Sequence, residues 1–153
     1  MRIGEVYWTV IDPIWEKVSI YDGPDVFEAQ FAQLSPAQKA LFASHCCQSK
    51  VRNCGLHQFF GNPTGVLAPE AVAGFREIGL SHCADILEEA MGFFGKPYPR
   101  EREIRQEALD SLQGSEREDC DPFISLDDRF FAAIENDGYD RTADEYASKT
   151  SAA

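Results

Sequence analysis

Residues 53–65 read NCGLHQFFGNPTG, a polar and glycine-bearing interruption in a chain otherwise patterned for helices. Asn53 marks the stop of a preceding helix, and Gly55 supplies a positive φ that a side chain would resist. Leu56, Phe59 and Phe60 then fall on one side of a short helix. Asn62-Pro63-Thr64-Gly65 matches a type I turn, with asparagine first, proline second and glycine fourth. Asn53 and His57 stand four apart, as do Gln58 and Asn62, so each pair can share hydrogen bonds on one helical face. The stretch therefore reads as the joint between two helices.

Working outward, helix signals recur without a hairpin or βαβ signal. Pro13 opens a short helix through Ile14, Trp15 and Val18, ended by Tyr21-Asp22-Gly23-Pro24. A second runs from about Pro24 to Leu34 over Val26, Phe27 and Phe31. Ser35-Pro36-Ala37-Gln38 combines an N-cap serine, a proline at the first helical position and a glutamine three after the cap. The helix it opens carries Leu41, Phe42 and Cys46 to about Arg52. Beyond the joint, Ala71, Val72, Phe75 and Ile78 share one face of a helix that Gly79 ends. Cys83, Ile86, Leu87, Ala90 and Phe94 form the most regular apolar stripe, with Asp85, Glu88 and Glu89 outside it. Residues 95–99 are a proline-bearing connector, and 100–113 a charged helix buried along Ile104, Ala108 and Leu112. Asp121-Pro122 opens a helix striped by Phe123, Leu126, Phe130 and Ile134, and Thr142-Ala143-Asp144-Glu145 has capping-box spacing for a last one. The expectation is an all-α, single compact domain over residues 1–147, built of about eight short helices, with 148–153 a frayed tail.

Charge is the unusual property. The formal net charge is −12. Residues 1–75 hold 7 acids and 5 bases, whereas 76–153 hold 19 acids and 9 bases. Between Glu116 and Glu145, 11 acids face only Arg117, Arg129 and Arg141. Such a field argues against direct binding of nucleic acid or an anionic membrane. No apolar run approaches the ~20 residues that span a bilayer, and the acidic start does not suit a signal peptide. The odd set Cys46, Cys47, Cys54, Cys83 and Cys120, two of them adjacent, makes a poor disulfide framework, so the expected location is cytoplasmic.

Two kinds of chemistry compete for residues 53–65. In one, His57 performs acid–base work in a polar pocket with Gln58 and Cys54, but no second signature supplies an orienting partner or nucleophile. In the other, Asn53, Gln58 and Asn62 satisfy backbone groups left open at two helix ends. The second reading is preferred, and no catalytic residue is assigned. A zinc site at His45, Cys46, Cys47, Cys54 and His57 fails on spacing, since consecutive helical residues point in different directions.

The same stretch resembles a bacterial family whose founder is an acidic, all-helical DNA mimic. The family core runs Asn-Gly-Gly-Phe-x-Gln-aromatic, followed by a turn with asparagine and glycine. Here it is Asn53-Cys54-Gly55-Leu56-His57-Gln58-Phe59, then Asn62 and Gly65; Cys54 and Leu56 depart from the pattern. SIYDGPDVFEAQFAQLSPAQKALFA upstream, and GKPYPRERE and LDDRFF downstream, extend the similarity over about residues 13–135. The resemblance implies an all-α fold, no cofactor, a capacity to form a homodimer, and a founder that binds a transcription factor in place of DNA. The motif residues Asn53, Gly55, His57, Gln58, Asn62 and Gly65 would identify the fold, not a mimicking surface.

A mimic needs carboxylates on rigid elements. The candidates are Asp85, Glu88, Glu89, Glu116, Glu118, Asp119, Asp121, Asp127, Asp128, Asp137, Asp140, Asp144 and Glu145, which would face a basic DNA-binding protein. Arg100, Arg102, Arg105 and Arg117 break the anionic pattern, and Glu101-Arg105 and Glu103-Glu107 suggest a salt-bridged helix over 100–113. Alternatives are a solvated acidic face, or a dimerisation module marked by exposed Trp8 or Trp15.

Overall fold

The computed structural model describes residues 2–113, 122–135 and 138–151. Among these the regular structure is entirely helical: α1 (Glu5–Ile11), α2 (Pro24–Phe31), α3 (Pro36–Gly61), α4 (Ala68–Ile78), α5 (Ser81–Met91), α6 (Arg102–Gln113), α7 (Ile124–Ile134) and α8 (Gly138–Ser151). Three 3-10 helices, Asp12–Lys17, Pro63–Leu67 and Gly92–Phe94, link them. None of the described helices is long and apolar enough to cross a membrane.

Helix α3 is the hub, packing against α1, α4, α6, α7 and α8. It begins as its sequence demands. The Ser35 side chain accepts from the Gln38 N–H while the Gln38 side chain accepts from the Ser35 N–H, a reciprocal cap that satisfies two open donors. Leu41, Ala43, Cys47 and Val51 are fully buried along it. The stripes of α4, α5 and α7 also lie inward, with Phe75, Leu87 and Phe130 at 0% exposure. Burial pushes the Cys46 and Cys83 thiols up to about 12, so both are apolar packing groups at neutral pH.

At Gly55 the backbone takes φ 82° and ψ 169°, kinking α3 into a long limb and a short one. The short limb buries Leu56, Phe59 and Phe60 completely. Phe60 lies 4.7 Å from Phe94 and 5.6 Å from Phe123 between ring centroids, which draws α5 and α7 onto the joint. The Tyr98 hydroxyl donates to the Gly65 carbonyl at 2.7 Å.

The expected buried stripe of α6 holds at Leu112, which packs partly buried against the core, and is off by one residue before it. Ile104 is 51% exposed, whereas Arg105 is fully buried and Leu109 nearly so. The Arg105 guanidinium is spent on carbonyl oxygens: Nε donates to Phe60 at 2.8 Å, Nη2 to Asn62 at 3.1 Å, and Nη1 to Pro99 at 3.3 Å and to Arg100. These carbonyls belong to the end of the short limb and to the 95–101 connector, so one side chain ties both to α6. The expected Glu101–Arg105 side-chain pair is therefore not formed, because the carbonyls outcompete it. A side chain has no room opposite: a Cβ added at Gly65 would lie 2.7 Å from Arg105 Nε. Arg100 bonds Glu70 through both terminal nitrogens, at 2.7 and 2.8 Å, fastening the same connector to α4.

The two ends of the chain meet. Helix α1, missing from the sequence reading, packs on α8, where the Asp144 carboxylate accepts from the Gly4 N–H at 2.7 Å and the Tyr7 N–H at 2.9 Å. The Tyr7 hydroxyl sits 3.0 Å from His45 Nδ1, and the Tyr139 hydroxyl 2.8 Å from Ser44 Oγ. Pro13 lies within a 3-10 helix that continues α1. Because α8 starts at Gly138, Thr142 to Glu145 are helix interior and no capping box forms there. Helix α8 also continues past Ser148 to Ser151.

Two predictions follow from this packing. Arg105→Met removes the donors of four carbonyls and lowers stability by about 3 kcal/mol; Arg105→Lys, lacking the fork, recovers little of it. Urea denaturation checks both, and an unmoved midpoint for either variant contradicts the assignment. Burial lowers the His45 pKa from 6.5 to about 4. The unfolded chain then binds the extra proton first, so this term destabilises the fold as pH falls from about 6.5 to about 4 and is absent above that window. His45→Gln flattens the stability-versus-pH curve across that interval, which denaturation at a series of pH values reads.

Candidate acidic interaction face

The polar cluster of residues 53–65 is largely absorbed by the joint. Asn53 Nδ2 donates to the Ser49 carbonyl at 2.8 Å instead of to His57. Asn62 Nδ2 donates to the Gln58 carbonyl at 2.6 Å and lies 3.2 Å from Gln58 Oε1, as the four-residue spacing suggests. The His57 ring is half-buried and packs edge-on to Phe123, with centroids 6.4 Å apart. Gln58 is exposed. The cavity beside the turn, about 140 Å³, lies between residues 20–24, Pro63, Val66 and the arginines Arg100, Arg102 and Arg105, and neither His57 nor Gln58 lines it.

The acids expected to form one face have several different roles. Asp85 and Glu88 both pair with Arg76, at 3.0 and 3.3 Å, and Glu89 pairs with Arg129 at 2.9 Å. Asp127 accepts from the Leu56 N–H at 2.8 Å, capping the short limb of α3 just after the kink. Its other oxygen would lie 3.0 Å from a Cβ at Gly55, so that glycine answers both a positive φ and a close approach. Asp144 caps α1, and Asp140 lies beside it, 3.5 Å from the Tyr7 hydroxyl. Asp128 and Glu145 are exposed and enter no ion pair with a described residue. Glu116, Glu118, Asp119, Asp121 and Asp137 lie outside the described residues.

A more regular carboxylate array lies on α6, where none was expected. Glu103, Glu107 and Asp110 are exposed and spaced i, i+4, i+7, which sets them on one helical face. None forms an ion pair with a described residue. The arginines that would neutralise the row are directed elsewhere. Arg105 is buried in the joint, and Arg102 Nε donates to the Gly61 carbonyl at 2.9 Å. Gln106 Nε2 reaches the same carbonyl at 3.1 Å, which helps hold the helix face in place. Along the axis the row spans about 10 Å at about 5 Å per charge, the order of one DNA strand's ~3.4 Å. The signal available in the sequence was the 4 + 3 spacing of the acids; the inward turn of Arg105 hid its meaning.

Substitutions separate the structural acids from the free ones. Asp127→Ala and Asp144→Ala each remove a cap and lower stability by about 1 kcal/mol, whereas Asp128→Ala and Glu145→Ala stay within about 0.5 kcal/mol of the parent. Thermal denaturation of the four variants checks the division, and equal shifts in all four contradict it.

No curated protein and no solved structure matches the chain. The family model of the DMP19-like protein matches residues 32–150, from the end of α2 through the joint, α6 and α7 into α8. Since that span is most of the chain, the chain belongs to the DMP19-like protein family.

Proposed function

We propose that this chain is an acidic protein-binding protein that acts as a DNA mimic, occupying the DNA-binding face of a basic transcription factor or nucleoid protein in the cytoplasm. It would work without a cofactor and without touching nucleic acid itself. The observation that carries the reading is the α6 row of Glu103, Glu107 and Asp110, left without ion pairs among the described residues while the neighbouring arginines serve backbone carbonyls. Family membership supports the same reading, because the family's founder is a DNA mimic. So does the net charge of −12, which steers a basic domain toward the molecule within about a Debye length of its surface. Asp128 and Glu145 add exposed carboxylates on α7 and α8.

Steering and charge pairing both weaken as salt rises, so complexes with basic DNA-binding proteins should form at low ionic strength and release at high. Glu103→Gln/Glu107→Gln/Asp110→Asn, alone and with Asp128→Asn/Glu145→Gln, is expected to reduce capture of such proteins about tenfold or more with the helical signal intact. Competition with duplex DNA for the captured partner is the second readout. Capture that is insensitive to both salt and the substitutions, or that leaves the partner able to bind DNA, would refute the reading.

A further inference from the structure

Both tryptophans of the chain stand half-exposed in one patch: Trp8 at 37% and Trp15 at 40%, their ring centroids 5.2 Å apart. They are held rigidly from below. The His45 ring lies 5.3 Å from Trp8 and 5.7 Å from Trp15, and Phe42 lies 5.7 Å from Trp15. His45 is itself fixed by the Tyr7 hydroxyl at 3.0 Å. Large apolar rings with little freedom left to lose are the side chains that most often dominate a protein interface.

The neighbours of these rings narrow what could cover them. Glu5, Trp8, Asp12 and Trp15 follow one another at intervals of three, four and three residues. Asp12 keeps helical dihedrals, φ −53° and ψ −46°, so Glu5, Trp8 and Asp12 share a face of α1. In the 3-10 helix that follows, residues three apart eclipse, which aligns Asp12 with Trp15. The result is a single ridge that carries two carboxylates and a touching pair of indoles. Glu5 and Asp12 are exposed and pair with no described cation.

We infer that this ridge is a docking surface for an arginine-rich segment of a protein partner. Guanidinium groups lie over indole faces, while the carboxylates on either side take their N–H donors. A purely apolar partner would leave Glu5 and Asp12 desolvated without a counter-charge, and an acidic one would be repelled. Residues 5–17 precede the family match, which begins at residue 32, and α1 packs on α3 and α8, so the ridge lies on different elements from the α6 row. The inference rests on the proposal that the partner is a basic protein, and adds a second contact to it.

Because the only tryptophans lie on the ridge, their fluorescence reports its occupancy directly. An oligo-arginine peptide titrated into the full chain is expected to change tryptophan emission saturably, binding about threefold more tightly than oligo-lysine of equal length. Glu5→Gln/Asp12→Asn, which keeps both reporters, should weaken that response about fivefold. Glu103→Gln/Glu107→Gln/Asp110→Asn should leave the emission change in place. Peptide binding seen by calorimetry without an emission change, or an emission change indifferent to Glu5→Gln/Asp12→Asn, overturns the ridge; if the α6 variant then abolishes the calorimetric signal, the proposed function stands without it. No binding of either peptide at any site removes both. Emission that shifts with protein concentration alone, together with a dimer in sedimentation, assigns the patch to a second copy and overturns the inference.

Discussion

A guanidinium buried from solvent, with no carboxylate partner among the described residues, has to be satisfied by hydrogen bonds, and Arg105 obtains them from four backbone carbonyls. That requirement organises the second half of the fold. The carbonyls come from the end of the kinked α3 and from the connector before α6, two segments whose polar groups would otherwise be left open. Meeting both needs with one side chain fixes how α6 lies on α3. Gly65 follows from this, since only a residue without Cβ leaves space for Nε.

The same constraint sets the electrostatics of the surface. Burying Arg105 removes a positive charge from the solvent-facing surface of α6, whose opposite side carries Glu103, Glu107 and Asp110. A helix that reads as an even mixture of signs therefore presents three carboxylates outward with Arg102 as its exposed base. Elsewhere the acids are consumed in two ways. Arginines 76, 100 and 129 take five acids in exposed or half-buried pairs, and Asp127 and Asp144 cap helices from 71 and 137 or more residues away in sequence. A net charge of −12 thus overstates how many carboxylates are free to meet a partner, and says nothing of which ones.

Much of the fold was legible. The stripes of α4, α5 and α7, the Ser35–Gln38 cap, the Gly55 kink and the burial of Leu56, Phe59 and Phe60 all follow from local spacing or local backbone geometry. Each is decided within about two turns of helix, so a single stretch of sequence contains the relevant physics. Helix α1 was not legible because much of what holds it is remote: Asp144 supplies its open N–H groups, and His45 and Tyr139 supply its packing. The α6 stripe failed for a related reason. By composition Ile104 belongs inside and Arg105 outside, and only the open carbonyls of residues 60, 62, 99 and 100 reverse that preference.

By itself the sequence determined an all-helical chain with a glycine-hinged joint and a strongly acidic second half. Periodicity, caps and charge totals are properties of neighbouring residues, and no folding is needed to count them. The tertiary structure alone decided which carboxylates are caps, which are paired and which stand free, and that the chain's two tryptophans share one exposed ridge. Those outcomes depend on what lies across a contact from each side chain, and that neighbour belongs to another element, 9 residues away for Arg76 and Asp85 and 140 for Gly4 and Asp144.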